Sequence, residues 1–105
     1  MDKVPFLDQI VEIIVSVVAP DKVILFGSYA RGDNRKDSDI DILVLKSGIG
    51  NENRVVDSLY MEFFNKKIRK PIDVIAMDSE KYDRLSDDIG YIYKTIKREG
   101  KVIYG

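Results

Sequence analysis

Leu25-Phe-Gly-Ser-Tyr-Ala-Arg-Gly-Asp-Asn-Arg-Lys-Asp-Ser-Asp-Ile-Asp-Ile-Leu-Val44 decides how the rest of this chain is read. An apolar run stops at Gly27-Ser28, a polar loop follows, and a second apolar run carries Asp39 and Asp41. Side chains two apart on a strand share a face. Two carboxylates side by side in a hydrophobic strand repel each other and resist desolvation unless cations join them. That cost points to function. Gly27 at a strand end allows close approach to the backbone. The amides that follow it, with the Ser28 hydroxyl, form a small anion cradle. It is not a P-loop: Gly27 to Gly32 has the spacing, but Asp33-Asn34 stands where Lys-Ser/Thr is required.

Working outward, Lys22–Phe26 reads as a short buried strand, and Ser28–Arg31 as one helical turn closed by Gly32. Asp39–Lys46 alternates Asp39, Asp41, Leu43 and Leu45 on one face with Ile40, Ile42 and Val44 on the other. Upstream, Phe6, Leu7, Ile10, Val11, Ile14, Val17 and Val18 recur at helical spacing until Pro20-Asp21. Downstream, Val55, Val56, Leu59, Tyr60, Phe63, Phe64 and Ile68 predict a second amphipathic helix from about Asn51 to Lys67. Pro71–Met77 reads as a third strand, with Asp73 between Ile72 and Val74. Helical stretches over Ser79–Leu85 and Asp88–Arg98, with Asp78-Ser79 as a cap, lead to a last strand at Lys101–Tyr104. The order α-β-β-α-β-α-β predicts an α+β (α/β) domain, a small mixed sheet with helices packed mainly on one face.

If the second and third strands are neighbours, Asp39, Asp41 and Asp73 converge. An oxygen-only cluster of this kind suits two Mg²⁺ ions about 4 Å apart, with Mn²⁺ the alternative, the arrangement used for phosphoryl and nucleotidyl transfer. Arg31, Arg35 and Lys36 lie between cradle and carboxylates, where they can offset phosphate charge, although a solvated loop is the plainer reading of Arg35 and Lys36. Ser38 is placed to order the backbone before Asp39. Lys66, Lys67, Arg69 and Lys70 read as a solvated helix end, and Tyr82, Tyr91, Tyr93 and Tyr104 as core or interface aromatics.

Composition narrows the chemistry. The 105 residues suit one domain, and 17 basic against 18 acidic residues leave a net charge of −1, without the footprint of a nucleic-acid binder. The absence of His and Cys excludes Ser-His-Asp catalysis, thiolate chemistry, disulfides and His- or Cys-ligated metals. No apolar run approaches the roughly 20 residues of a membrane span. The start Met-Asp-Lys-Val-Pro lacks the features of a secretory signal, so a cytoplasmic location is expected.

Gly27-Ser28-x-Ala30-Arg31-Gly32, followed by Ser38-Asp39-Ile40-Asp41 and a later strand bearing Asp73, resembles the DNA polymerase beta-type nucleotidyltransferase superfamily. The match is closest to its minimal nucleotidyltransferase (MNT) branch, and the resemblance runs over nearly the whole chain, read as a single domain spanning residues 1–105. It implies a palm-like sheet that moves a nucleoside monophosphate from an NTP, ATP in the first instance, to a hydroxyl. Asp39 and Asp41 would bridge two metals, Asp73 would ligate the metal near the attacking hydroxyl, and Gly27 and Ser28, with Arg31, would hold the phosphates. The MNT branch commonly pairs with a HEPN-family RNase toxin, transferring AMP to a toxin tyrosine as its antitoxin. Two alternatives stand beside this expectation: nucleotidylation of a small molecule such as an aminoglycoside, and an antitoxin that only binds and masks its toxin.

Overall fold

A computed structural model describes residues 4–88 and 92–105. Helix α1 (Leu7–Val18) leads into strand β1 (Lys22–Phe26), the single turn α2 (Ser28–Arg31) and strand β2 (Ile40–Leu45). Helix α3 (Glu52–Asn65), strand β3 (Ile72–Met77), the short helices α4 (Ser79–Leu85) and α5 (Ile92–Glu99), and strand β4 (Lys101–Tyr104) complete the order. The sheet runs β3-β2-β1-β4. β1 pairs antiparallel with both β2 and β4, while β2 and β3 are parallel. The parallel pair follows from α3, whose length lets the chain cross over and re-enter the sheet in the same direction.

Each sheet face has its own apolar layer. Ile10 and Ile14 of α1 and Leu59 and Phe63 of α3 pack on Leu25, Ile40, Ile42 and Val44. On the opposite face Tyr82 of α4 and Ile96 of α5 cover Ile24, Leu43, Leu45 and Met77. The longer helices thus share one face and two short ones partly cover the other. Burial on both faces explains why β2 reads as an almost unbroken apolar run, broken by Asp41. Helix α1 ends at Ala19, in the left-handed region at φ 50°, before Pro20. The Lys46 ammonium donates to the freed carbonyls of Val18 and Ala19 at 2.6 and 3.2 Å.

Two predicted apolar positions on α3 stay outside the core. Phe64 is 79% exposed, because Val55, Leu59 and Phe63 already form the buried stripe and the next residue is turned roughly 100° away. Tyr60 sits at the sheet's β3 edge, where its hydroxyl accepts the Val74 N–H at 2.9 Å. The first residues of the stretch expected to be helical from Asp88 include 89–91, which lie outside the described residues, as does Tyr91; α5 is described from Ile92.

Candidate active site

β1 stops where the site begins. Phe26 is the partner of Asp41 across the antiparallel ladder, so Gly27 is the first residue beyond the pairing. Its backbone adopts φ 74° and ψ −156°, a conformation essentially reserved for glycine. A Cβ there would also fall on the Asp41 carboxylate. Ala30 and Arg31 then donate their N–H groups to the Gly27 carbonyl at 3.1 Å each, which closes the α2 turn. The amides of Ser28 and Tyr29 precede those bonds and lie at the open start of the turn. Gly32 ends it in the left-handed region at φ 83°, as its position after Arg31 predicts.

The carboxylates meet because of register. Asp41 and Asp73 are direct partners in the parallel β2–β3 ladder, so their side chains rise from neighbouring strands on one face. Asp39 stands just before β2, two residues from Asp41, and remains exposed. Burial, reinforced by the charges of Asp73 and then Asp39, pushes the Asp41 carboxyl up to about 6; Arg31 opposes this only weakly. A cation beside this pair would relieve the repulsion that raises the proton affinity. Among the described residues, no set of three or more acidic side chains is gathered closely enough to hold a metal ion. Asp41 and Asp73 form the pair, and Asp39 supplies nearby charge without closing a third corner. In donor chemistry the residues fit a hard divalent cation: all are oxygen ligands, and two are already crowded.

Arg31 does not point freely at the cradle. Its Nε donates to Asp33 at 3.1 Å, and Nη1 lies 3.9 Å from Glu99 at the end of α5. The bond to Asp33 holds the guanidinium firmly charged. The loop before Asp39 is ordered by Ser38, whose hydroxyl accepts the Arg35 N–H at 2.7 Å while its own N–H donates to the Arg35 carbonyl at 3.1 Å. Lys70 departs from the solvated-end reading of its cluster. Its ammonium donates to the Lys36 carbonyl at 3.1 Å and lies 5.4 Å from the centre of the buried Tyr29 ring. Lys70 therefore pins the loop that separates cradle from carboxylates, whereas Lys66, Lys67 and Arg69 are exposed.

A cleft of about 380 Å³ opens beside Asp41, with Phe26, Gly27, Ser28 and Arg31 on one side. Its other wall is α5, which contributes Ile92, Thr95, Ile96 and Glu99. The motif gives no hint of this wall. Helix α5 arrives only because β4 folds back onto β1. Gly100 was the available signal: a Cβ at that position would strike the Ile96 carbonyl and the Ile24 side chain, so only glycine lets α5 sit this close to β1.

The profile described as polymerase beta, nucleotidyltransferase matches residues 8–105. Two Methanocaldococcus jannaschii proteins, each named as a candidate protein adenylyltransferase, are similar in sequence. MJ0141 is 42% identical over 77 residues, covering 73% of this chain and 64% of that protein. MJ0604 is 36% identical over 85 residues, covering 79% and 77%. The matched region thus spans just under two thirds of MJ0141. Among solved structures, a chain from a toxin–antitoxin crystal structure with AMP-PNP superposes with a TM-score of 0.69 at 21% identity, covering 93% of this chain and 72% of that one. The fold, the Gly27-Ser28 turn against Asp41 and a family match over almost the entire length agree: the chain belongs to the polymerase beta nucleotidyltransferase family.

Proposed function

We propose that this protein is an adenylyltransferase that moves AMP from ATP onto a hydroxyl of a partner protein. The observation that carries the reading is the in-register pair Asp41 and Asp73, with the Gly27-Ser28 turn pressed against Asp41. The Ser28 and Tyr29 amides and the Ser28 hydroxyl bind the β- and γ-phosphates. Arg31 lines the same cleft and reaches the phosphates by turning from Asp33, to which it is bonded in the free protein. Asp41 and Asp73 would hold the Mg²⁺, two ions once Asp39 is drawn in from its exposed position before β2, and the metal would stabilise charge developing on the phosphoryl oxygens when bound. The acceptor oxygen forms a bond to the α-phosphorus, the bond from that phosphorus to the bridging β-oxygen breaks, and pyrophosphate leaves. The acceptor proton passes to the exposed Asp73 carboxylate. The chain's own contribution is alignment and the steadying of a polyanionic leaving group.

The acceptor we assign is a tyrosine hydroxyl on a HEPN-type RNase toxin, with this protein as antitoxin. Support comes from the names of the two relatives as candidate protein adenylyltransferases and from the fold shared with a toxin–antitoxin chain. The test combines the purified protein, ATP labelled at the α-phosphate, Mg²⁺ and the product of the adjacent gene. Label on that product, lost in Asp41→Asn and Asp73→Asn, is the expected result. Tight association without label under any divalent metal would leave only masking, and label on an aminoglycoside without the partner would move the acceptor to a small molecule.

A further inference from the structure

We infer that α5 is the nucleoside-binding wall of the site, with Ile92 receiving the face of the base and Thr95 hydrogen-bonding the sugar. The inference rests on the nucleotide reading above and adds what holds the part of the substrate that the glycine–carboxylate motif leaves unassigned. Three observations carry it. First, the cleft that contains Gly27, Ser28 and Asp41 is closed on its far side by Ile92, Thr95, Ile96 and Glu99, one stripe at three- and four-residue spacing. Second, that stripe changes character along its length. Glu99 lies beside Arg31 at the charged end. Ile96 is buried beneath, and Ile92, seven residues and about 10 Å of helix rise from Glu99, is 53% exposed at the other end. The Gly27-Ser28 turn and Arg31 at one end and an exposed apolar residue at the other fit a ligand with an anionic tail and a flat apolar head, the surrounding carboxylates taking the cation that such a tail carries.

Third, the sheet order leaves this as the free direction. On the nucleotide reading the acceptor arrives on the side of Asp73, which lies on the edge strand β3, and the departing phosphates lie at Gly27-Ser28 after β1. An in-line displacement at Asp41 occupies both of those directions, so the sugar must leave the α-phosphate along a third. Helix α5 stands on the same sheet face as Asp41, since Ile96 packs with Leu43, two residues further along β2.

The experiment compares equilibrium binding of ATP and of inorganic tripolyphosphate, each with Mg²⁺ and no acceptor, by calorimetry. Wild-type protein should bind ATP more tightly than tripolyphosphate. Ile92→Ala should weaken ATP about tenfold and Thr95→Val about fivefold, with tripolyphosphate affinity unchanged in both. Both side chains are exposed, so the variants should melt at the wild-type temperature, and tripolyphosphate binding reports an intact cradle. Parallel weakening of both ligands, no weakening of either, or equal wild-type affinity for the two would each overturn the assignment. Binding of tripolyphosphate with those outcomes leaves the nucleotide-transfer reading standing; wild-type binding of neither ligand brings down both.

Discussion

At the scale of single residues, the site depends on one missing side chain and one misplaced charge. Gly27 combines a left-handed φ with a position where a Cβ would occupy the space of the Asp41 carboxylate. Gly27→Ala is therefore expected to lower stability by about 1–3 kcal/mol in urea unfolding and to abolish ATP-dependent labelling. Asp41 behaves in the opposite sense to an ordinary surface acid. Its folded carboxyl titrates near 6 against an ordinary 3.8, so the folded state favours the protonated form. Its contribution to stability is favourable at low pH and is lost as pH rises through 6. In EDTA at pH 7, Asp41→Asn should stabilise the fold by about 1–2 kcal/mol, a figure reduced for solvent screening of a partly exposed group, while eliminating transfer. Mg²⁺ should raise the melting temperature of the wild type and leave that of the variant nearly unchanged.

At the scale of elements, polar side chains fasten pieces that apolar packing alone leaves loose. Tyr60 looks like another core aromatic in the periodic pattern of α3, yet it is 40% exposed and its hydroxyl supplies an acceptor to the edge strand β3. Tyr60→Phe should cost about 1 kcal/mol and speed hydrogen exchange at the Val74 amide, which sits one residue beyond Asp73. Lys70 bridges two elements by reaching the Lys36 carbonyl and the Tyr29 ring. Lys70→Met should loosen the segment from Asp33 to Ser38, seen as faster amide exchange there. Transfer activity should fall several-fold, because Asp39 follows that loop directly.

Across the whole molecule, the sheet carries two acidic groupings at opposite ends. At the end away from the cleft, Asp21 accepts from the Ser47 N–H at 2.6 Å and the Ser79 hydroxyl at 2.8 Å. Asp78 there accepts the Gly48 N–H at 2.8 Å and caps α4 through the Glu80 and Lys81 amides. These bonds hold both carboxyls below their ordinary 3.8, Asp21 chiefly through Ser79 and Asp78 chiefly through Gly48. Their stabilisation is complete above that value and is lost as pH falls through the lowered folded values. Metal-free protein should therefore lose stability on both sides of a mildly acidic optimum: below it as Asp21 and Asp78 protonate, and above it as Asp41 ionises. Thermal melts between pH 3 and 8 with and without Mg²⁺ measure both limbs, and only the upper one should respond to the metal.

Much of this was legible along the chain because it is local. Strand and helix periods, the turn from Gly27 to Gly32 and the spacing of Asp39 and Asp41 are set by backbone sterics and side-chain alternation within a few residues. Asp73 could be matched to them because a carboxylate in a third apolar strand is costly without partners. The fate of Phe64, Tyr60, Lys70 and Arg31 was not legible, since each is decided by which surface another element presents. The α5 wall was the least visible of all. Residues 92–99 reach the cleft only when β4 pairs with β1, more than seventy positions earlier in the chain, and that long-range pairing leaves no periodic trace in either segment. The sequence by itself determined a glycine turn after one apolar strand and acids on two others; which strands pair, and so which acids meet, came from the sheet. Tertiary structure alone decided what closes the other side of the cleft, because that closure comes from packing between distant segments, with the bare backbone at Gly100 setting how near they come.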